Sequence, residues 1–315
     1  MENIRLGISS CLLGEKVRFD GGHKLDRFLR DTLGRFVEFV PMCPEVECGL
    51  GIPREAMRLE GTSESPRLVT VKTRRDLTEQ MLNWANERVR NLEGENLCGF
   101  IFKSGSPSSG MERVKIYGID NVLRKSGTGL FASVFMKHFP YLPAEDDSRL
   151  NDPEIRENFI ERIFVAKRWR DITEGPPKLA RLVSFHTRHK LLVMAHSPGH
   201  SGALGKLIAG GNQQSIEEIY SEYQRILMEA LKLKATVRKN INVLKHLMGY
   251  FKKLLSADEE QELLEVIDFY RQGFLPLIVP VTLIGHYVRK YHQAYLNDQY
   301  YLNPHPIELR LRNHA

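Results

Sequence analysis

Short apolar runs alternate with helically spaced hydrophobic residues along the first part of the chain. The strand-like runs are Ile4 to Ser9, Phe36 to Val40, Leu68 to Lys72 and Gly99 to Lys103. Helical spacing covers Lys24 to Leu33 and Leu77 to Leu92. Strands that alternate with helices are typical of an α/β domain. We therefore predict that residues 1–145 form an α/β domain whose mainly parallel sheet is flanked by helices.

After Asp152 the pattern becomes almost entirely helical. Between Ser215 and Leu255 the hydrophobic residues recur at the spacing of an amphipathic helix, and basic residues lie off this stripe. We predict a mostly α-helical second domain over residues 152–315. The acidic, proline-containing stretch from Leu142 to Asp152 is the predicted linker.

Composition narrows the class of protein. A chain of 315 residues, 42% of them hydrophobic, can bury two ordinary cores. No apolar run approaches the ~20 residues of a membrane-spanning helix, and the N-terminus is typical of a strand and turn rather than a signal peptide. Four cysteines do not make a disulfide scaffold in a chain of this length. We expect a cytoplasmic protein without a membrane partner; the sequence carries no signal for its oligomeric state.

The net charge of +6 comes mainly from the second half of the chain. Residues 1–150 contain 22 Lys and Arg against 21 Asp and Glu, whereas residues 151–315 contain 23 against 18. A mild basic excess is compatible with nucleic-acid binding and equally with an ordinary solvated surface.

Three loops with candidate chemistry each follow a predicted strand. They contain Cys11, Cys43 and the segment Ser106 to Gly110. The carboxyl ends of parallel strands lie at one edge of a sheet, where ligands bind, so we expect these loops to meet. The 32-residue spacing between the two cysteines matches no CxxC-type zinc motif.

Five segments in the first half resemble the signature blocks of the thiouracil desulfidase family. In chain order they are Ser9 to Gly14, Val17 to His23, Cys43 to Val46, Gly49 to Arg54 and Lys103 to Ser108. The second half resembles the YbgA-like domain through Phe185 to Lys190, Met194 to Ser197, Tyr301 to Pro306 and Leu311 to His314. The combination is similar to the RNA-directed desulfidases, which implies thiolated tRNA or thiolated uracil as the substrate and a helical domain that binds RNA.

The resemblance implies a 4Fe-4S cluster held by three cysteines, with one iron open to the sulfur of the substrate. The matching positions are Cys11, Cys43 and residue 109, which is serine in this chain. Cluster iron is usually held by thiolate sulfur, so we expect little intact cluster in the protein as written. The serine is compatible with an engineered substitution, with a natural member that has lost catalysis, or with a member that uses another cysteine. Cys48 is better placed for that role than Cys98, although Cys48 also suits a small buried position.

In the reaction that the resemblance implies, water replaces the thiocarbonyl sulfur in a hydrolysis without net electron transfer. Glu45 is the candidate general base, and Lys103, Ser104, Ser106 and Ser108 are candidates for positioning the nucleobase or stabilising the charge that develops on it. Each has a simpler alternative. Glu45 could cap a helix N-terminus, and Lys103 and the serines could serve the turn around Pro107.

A basic, histidine-rich segment of the second half is the candidate RNA-binding surface. Its residues are His186, Arg188, His189, Lys190, His196 and His200. A mixture of Arg, Lys and His suits phosphate and stacked-base contacts, and the Gly199 to Gly202 turn allows close backbone approach. A metal site is disfavoured, because no carboxylate accompanies the histidines at a ligand-like spacing. The alternative is an ordinary helical surface with solvated charges.

Two functions are therefore compatible with the sequence. The first is an iron-sulfur-dependent desulfidase that acts on thiolated uracil or on thiouridine, with thiouridine in tRNA as the expected substrate. The second is a cluster-free tRNA-binding or thio-base-sensing protein that keeps the fold and lacks the catalyst.

Overall fold

The computed structural model describes residues 4–118, 123–210 and 215–313. By its contacts the chain separates into two compact units, Met1–Asp152 and Pro153–Ala315. His314, the last residue of the C-terminal motif, lies outside the described residues.

Strands and helices alternate in the first unit. Its described strands are β1 (Ile4–Ser9), β2 (Val37–Met42), β3 (Met57–Gly61), β4 (Pro66–Thr70), β5 (Leu97–Phe102), β6 (Val114–Tyr117), β7 (Leu123–Gly127) and β8 (Ala144–Asp146). Its described α-helices are α1 (Pro44–Glu47), α2 (Thr78–Leu92) and α3 (Leu130–His138).

A four-stranded sheet in the order β2-β1-β5-β8 forms the centre of this unit. All three pairings between its strands are parallel. Every residue of β5 is buried, as expected for a central strand covered on both faces. The predicted α/β class with a mainly parallel sheet is confirmed.

Apolar helix faces cover this sheet. Helix α2 buries Met81, Ala85 and Val89, which recur at the spacing of one helix face. The Phe100 and Phe135 rings lie 4.7 Å apart between centroids, so β5 and α3 pack through aromatic contacts. The core of the unit therefore lies between the sheet and these two helices.

The second sheet differs from expectation. The predicted strand Leu68 to Lys72 is present as β4, but it belongs to a separate sheet in the order β4-β3-β6-β7. There β3 pairs antiparallel with β4 and parallel with β6, and β6 pairs antiparallel with β7. The predicted helix Lys24 to Leu33 is only a π-helical turn, Phe28–Thr32, followed by a 3-10 turn. Local hydrophobic spacing predicted that a strand and a helical segment are present. It did not predict which strands β4 pairs with, or that the helical segment is short and irregular.

A strand of the first unit lies within the predicted linker, Leu142 to Asp152, so the prediction is wrong for that part. Its residues Ala144–Asp146 form strand β8, which pairs with β5 at the edge of the parallel sheet. Two buried acids end this strand, Glu145 and Asp146, and their charge made the segment resemble a solvated connection.

Helix α3 begins on the loop of residues 106–110. Gly129 N donates to Gly110 O at 2.8 Å, and Ala132 N donates to Ser108 O at 3.1 Å. The loop carbonyls thus satisfy N–H groups that the first helical turn leaves free. A Cβ atom on Gly129 would lie 2.5 Å from the Ser108 carbonyl, so only glycine permits this approach.

We expect Gly129→Ala to lower the free energy of unfolding by about 1–3 kcal/mol, because the loop or the helix must move. Gly94→Ala is the matched control, since its Cβ would meet nothing within 4 Å. Urea denaturation of both variants measures the difference. Equal stability of the two would contradict the contact.

The second unit is helical in its described part. Its helices are α4 (Pro153–Thr173), α5 (Leu179–His196), α6 (Pro198–Ala209), α7 (Ile216–Lys232), α8 (Val237–Gly249), α9 (Ala257–Arg271), α10 (Ile278–Lys290) and α11 (Ala294–Asn297). The amphipathic stretch divides into α7 and α8, and the predicted stripe on α7, including Tyr223 and Leu227, is buried. Among the described residues, none of the helices combines the length and apolarity needed to span a membrane.

Candidate functional site

Each strand of the parallel sheet ends beside a polar residue of interest. Strand β1 is followed by Ser10 and Cys11, β2 by Cys43, β5 by Lys103 and β8 by Asp147. A cavity of about 410 Å³ opens at this edge, and we call it the sheet-edge cavity. The three predicted loops therefore line one cavity, through Cys11, Cys43 and Ser109.

Cys11 lies in a 3-10 turn directly after β1 and is 7% exposed. Its carbonyl accepts a hydrogen bond from Lys24 N at 2.9 Å, which holds the turn against the following loop. Burial raises the pKa of the Cys11 thiol to about 11, while the nearby charge of Lys103 lowers it. The side chain is a neutral thiol at neutral pH when no metal is bound.

Cys43 joins β2 to the short helix α1. Its Sγ lies 3.4 Å from Glu45 Oε2 and 3.8 Å from Val17 O. Burial and the neighbouring Glu45 carboxylate raise the pKa of the Cys43 thiol to about 12. Both cavity cysteines thus need a nearby cation before they carry charge at neutral pH.

Ser109 is 3% exposed and sits in a tight loop. Ser106 Oγ accepts hydrogen bonds from Ser109 N at 3.1 Å and Ser108 N at 3.3 Å, and Gly110 N donates to Ser106 O at 2.8 Å. With α3 packed on its carbonyls, this loop holds residue 109 at the cavity wall.

The Glu45 carboxylate faces the sheet-edge cavity and accepts hydrogen bonds from the serine loop. Oε1 accepts from the hydroxyls of Ser108 and, at 3.4 Å, Ser106. Helix capping is the task of Glu47, whose Oε1 accepts from Cys43 N at 3.0 Å. Of the two acids of α1, Glu45 therefore faces the cavity and Glu47 binds the backbone.

Lys103 and Ser104 are held by Asp147. Lys103 Nζ donates to Asp147 Oδ2 and to Ser104 Oγ, both at 2.9 Å. Ser104 N donates to Asp147 Oδ1 at 2.6 Å. Asp147 N in turn donates to Phe102 O at 3.0 Å. The carboxylate therefore fixes both predicted positioning residues at the end of β5.

Sequence reasoning missed Asp147 and Arg54 as site residues. Asp147 fell in the predicted linker, and the signal that could have placed it is the short strand directly before it. Arg54 lines the cavity, donates to Val17 O at 2.9 Å and lies 3.8 Å from Glu45 Oε2. Its position in the Gly49 to Arg54 block was the available signal.

Neither remaining cysteine lines the sheet-edge cavity. Cys48 Sγ donates to Glu45 O at 3.3 Å, and Cys48 packs against the hydrophobic core. Cys98 is buried near the start of β5, the end of the strand away from the cavity. Among the described residues, no group of three or more His, Cys, Asp and Glu side chains is arranged to hold a metal ion. The cavity combines two thiols with the oxygen donor Ser109.

Two of the six predicted RNA-binding residues are interior, which corrects the prediction for them. His189 is 1% exposed and stacks on Phe185 with 3.8 Å between ring centroids. His196 is 1% exposed, and its Nε2 lies 3.1 Å from Glu161 Oε2. Buried imidazoles are not available to RNA at the surface of the helical unit.

The other four predicted residues lie nearer the surface. Arg188 and Lys190 are exposed, and His186 and His200 are partly buried. His186 Nδ1 lies 3.1 Å from the Tyr223 hydroxyl, and burial lowers the pKa of this histidine. His200 belongs to the first turn of α6, so the expected Gly199 to Gly202 turn is helical.

His189 makes stability depend on pH. Burial lowers its pKa in the folded protein to about 3, from an ordinary value near 6.5. Below pH 6.5 the unfolded chain therefore binds a proton that the folded chain excludes, and stability falls as pH decreases. Between pH 7.5 and 5.5 we expect the wild type to lose about 1.4 kcal/mol more than His189→Leu. Urea denaturation at both pH values checks this, and identical losses would contradict it.

The two halves of the chain match different families. Residues 6–147 match the family model described as 2-thiouracil desulfurase, and residues 190–306 match that of a protein of unknown function, DUF1722. The uncharacterized protein YbgA of Escherichia coli K12 is 32% identical over 165 residues, which are 52% of this chain and 98% of YbgA. Among solved structures, the [4Fe-4S]-dependent thiouracil desulfidase TudS is 28% identical, with a TM-score of 0.38, over 48% of this chain and 95% of that chain.

Proposed function

We propose that this chain, which belongs to the YbgA family through its second half and carries a 2-thiouracil desulfurase domain in its first, removes sulfur from thiouridine in tRNA. The observation that carries the proposal is the convergence of Cys11, Cys43, Ser109 and Glu45 on one cavity at the carboxyl edge of the parallel sheet. The desulfurase domain supports thiolated uracil as the substrate. The proposed compartment is the cytoplasm, where tRNA is present and thiols stay reduced.

The proposed cofactor is a 4Fe-4S cluster at residues 11, 43 and 109. Cys11 and Cys43 suit it, because buried thiols ionise on binding iron and soft sulfur donors are its usual ligands. Ser109 is a poorer cluster ligand than the two cysteines, since its hydroxyl is a hard and weakly acidic donor. When bound, the cluster supplies a soft Lewis acid for the thiocarbonyl sulfur.

Glu45 is the proposed general base. In the overall hydrolysis a water oxygen forms a bond to the thiocarbonyl carbon, the carbon–sulfur bond breaks, and sulfide leaves without net electron transfer. The Glu45 carboxylate accepts the proton of the attacking water. Hydrogen bonds from Ser106 and Ser108 fix its orientation, and the Arg54 guanidinium lies 3.8 Å from Oε2.

Lys103 and Ser104 are proposed to bind the polar edge of the base. Lys103 lines the cavity with its ammonium group fixed by Asp147, so it presents a stationary positive charge. Preorganised charge of this kind stabilises negative charge that develops on the substrate.

The helical unit is proposed to contact tRNA. Its basic excess and the surface residues Arg188, Lys190 and His200 support this role. Affinity for tRNA should fall steeply with salt concentration, because phosphate contacts release counterions. A double variant, Arg188→Ala with Lys190→Ala, should bind tRNA more weakly than the wild type at the same salt concentration. Its affinity for tRNA should also depend less on salt.

The test uses the reconstituted Ser109→Cys protein under anaerobic conditions. It is incubated with thiolated tRNA, free thiouridine and free thiouracil, and loss of the thiocarbonyl absorbance and release of sulfide are measured. Turnover of thiolated tRNA supports the proposal. Full cluster occupancy without turnover of any of the three would overturn it, and turnover of thiouracil alone would overturn the tRNA assignment.

Ser109 itself favours a second candidate, a cluster-free protein that binds thiolated tRNA without changing it. Such a protein would bind thiolated tRNA more tightly than unmodified tRNA in its wild-type form. Equal affinities would exclude this reading.

A further inference from the structure

The helical unit contains a second cavity, of about 550 Å³, which we call the helical cavity. Its walls come from the starts of α4 and α8, the ends of α5 and α9, and the C-terminal segment. Five of its polar lining residues are more than nine-tenths buried: Glu161, His196, Asn240, Tyr270 and Arg312. Buried polar groups are costly, and their convergence on one cavity of this size marks a candidate binding site.

The interior of the helical cavity is a charged network. Arg312 lies 2.6 Å from Glu161 Oε1 and 3.3 Å from Glu157 Oε1. His196 Nδ1 lies 2.7 Å from Leu233 O, and its Nε2 lies 3.1 Å from Glu161 Oε2. Both ring nitrogens are thus engaged by protein groups. Arg312 and His196 therefore face Glu157 and Glu161 in the interior.

The mouth of the helical cavity is basic. Lys234, Arg238 and Arg271 lie there with a single acid, Glu154. Lys234 pairs with Glu154 at 2.8 Å, and Arg271 pairs with Asp268 outside the cavity. At the mouth, three exposed cations therefore face one exposed acid of the lining. This excess favours an anionic ligand.

The interior also offers groups that suit a polar ring. Asn240 Nδ2 donates to the Tyr270 hydroxyl at 3.2 Å, which leaves the phenolic hydrogen for another acceptor. Glu157 lines the same space and can accept from a ligand N–H or hydroxyl. A hydroxyl and a carboxylate inside, with positive charge at the mouth, suit a phosphorylated nucleoside.

We propose that the helical cavity binds a phosphorylated nucleoside, with the phosphate at Arg238 and Lys234 and the sugar or base beside Tyr270 and Glu157. If the nucleoside is a residue of tRNA, this inference rests on the proposed function. It also gives two sequence motifs a common task. His196 belongs to the segment Met194 to Ser197 and Arg312 to the segment Leu311 to His314, and both residues line this cavity. A free nucleotide and an RNA residue present the same chemistry and are separated by experiment.

The test measures binding of UMP, uridine, inorganic phosphate and tRNA to the full-length wild-type protein by calorimetry. Arg238→Ala removes an exposed cation at the mouth, and Tyr270→Phe removes only the interior hydroxyl. Lys253→Ala is the matched control, because Lys253 is an exposed cation outside the cavity lining. Thermal unfolding verifies that each variant is folded.

We expect UMP to bind at least about tenfold more tightly than uridine or phosphate, and Arg238→Ala to weaken UMP binding about tenfold. Tyr270→Phe should weaken UMP binding several-fold, and Lys253→Ala should leave it unchanged. For tRNA, Arg238→Ala should reduce the salt slope by about one.

Failures of this inference and of the proposed function are distinguishable. If UMP does not bind, or if both cavity variants bind UMP and tRNA as the wild type does, the cavity assignment is wrong whatever the desulfuration assay gives. If UMP binding depends on Arg238 while tRNA does not bind, the cavity takes a free nucleotide and the tRNA assignment is wrong.

Discussion

Replacing Ser109 with cysteine is expected to raise bound iron and acid-labile sulfide from near zero to about four of each per chain after anaerobic reconstitution. Residue 109 lies at the wall of the sheet-edge cavity with Cys11 and Cys43, in a loop fixed by Ser106 and by the start of α3. The substitution changes oxygen to sulfur at a position that is already ordered. A third thiolate completes the donor set that cluster iron prefers.

Two further variants make this prediction specific. In the Ser109→Cys background, Cys48→Ser should keep the cluster, because Cys48 faces the Glu45 carbonyl and the core rather than the cavity. Cys43→Ser should lose it. Wild-type protein that binds about four irons per chain would contradict the expectation that the cluster needs a thiolate at residue 109.

Glu45→Gln in the Ser109→Cys background is expected to lower the desulfuration rate by at least about 100-fold while the cluster content stays the same. The amide keeps the shape of the side chain and can still accept from Ser106 and Ser108. It has lost the basicity needed to take a proton from water. Sulfide release from thiolated tRNA, together with the iron content of the same sample, measures both quantities.

Glu47→Gln is the matched control, because it lies on the same short helix and differs in its task. Glu47 Oε1 accepts from Cys43 N, and Oε2 pairs with Arg88 at 3.2 Å. Its amide variant should therefore change the rate only a few-fold. A comparable loss in both variants would indicate that α1 needs acids for its structure, and a normal rate in Glu45→Gln would exclude Glu45 as the base.

The parallel sheet and its loops could be predicted because their determinants are local. The run Ile4 to Ser9 matches β1, and the runs before Cys43 and Lys103 correspond to β2 and β5. A strand that ends before a polar loop places that loop at the sheet edge, whatever the rest of the fold does. Two cavity cysteines and the serine loop were predicted for this reason.

Strand β8 and Asp147 could not be predicted in the same way. Three residues, two of them acidic, carry too short a pattern to indicate a strand. Pairing with β5 decides their conformation, and that pairing joins residues more than 40 positions apart. The task of Asp147, which is to hold Lys103 and Ser104, follows only from that pairing.

For the histidines of the helical unit, too, tertiary contacts decide what the local sequence pattern does not. His189 and His196 lie in a segment whose basic composition suggests an RNA-facing surface, but packing against Tyr300 and pairing with Glu161 place them inside. Helical spacing tells which residues share a face, and contacts with other helices decide which face is buried.

For this protein, local sequence determines the order of its elements and the sites where chemistry can occur, because strand runs and the loops after them depend on neighbouring residues. Tertiary contacts decide which of two acids on α1 faces the cavity, which cysteines meet Ser109, and how His196 and Arg312 come to share a second cavity. These outcomes depend on distances between residues that are far apart in the chain, and only packing sets such distances.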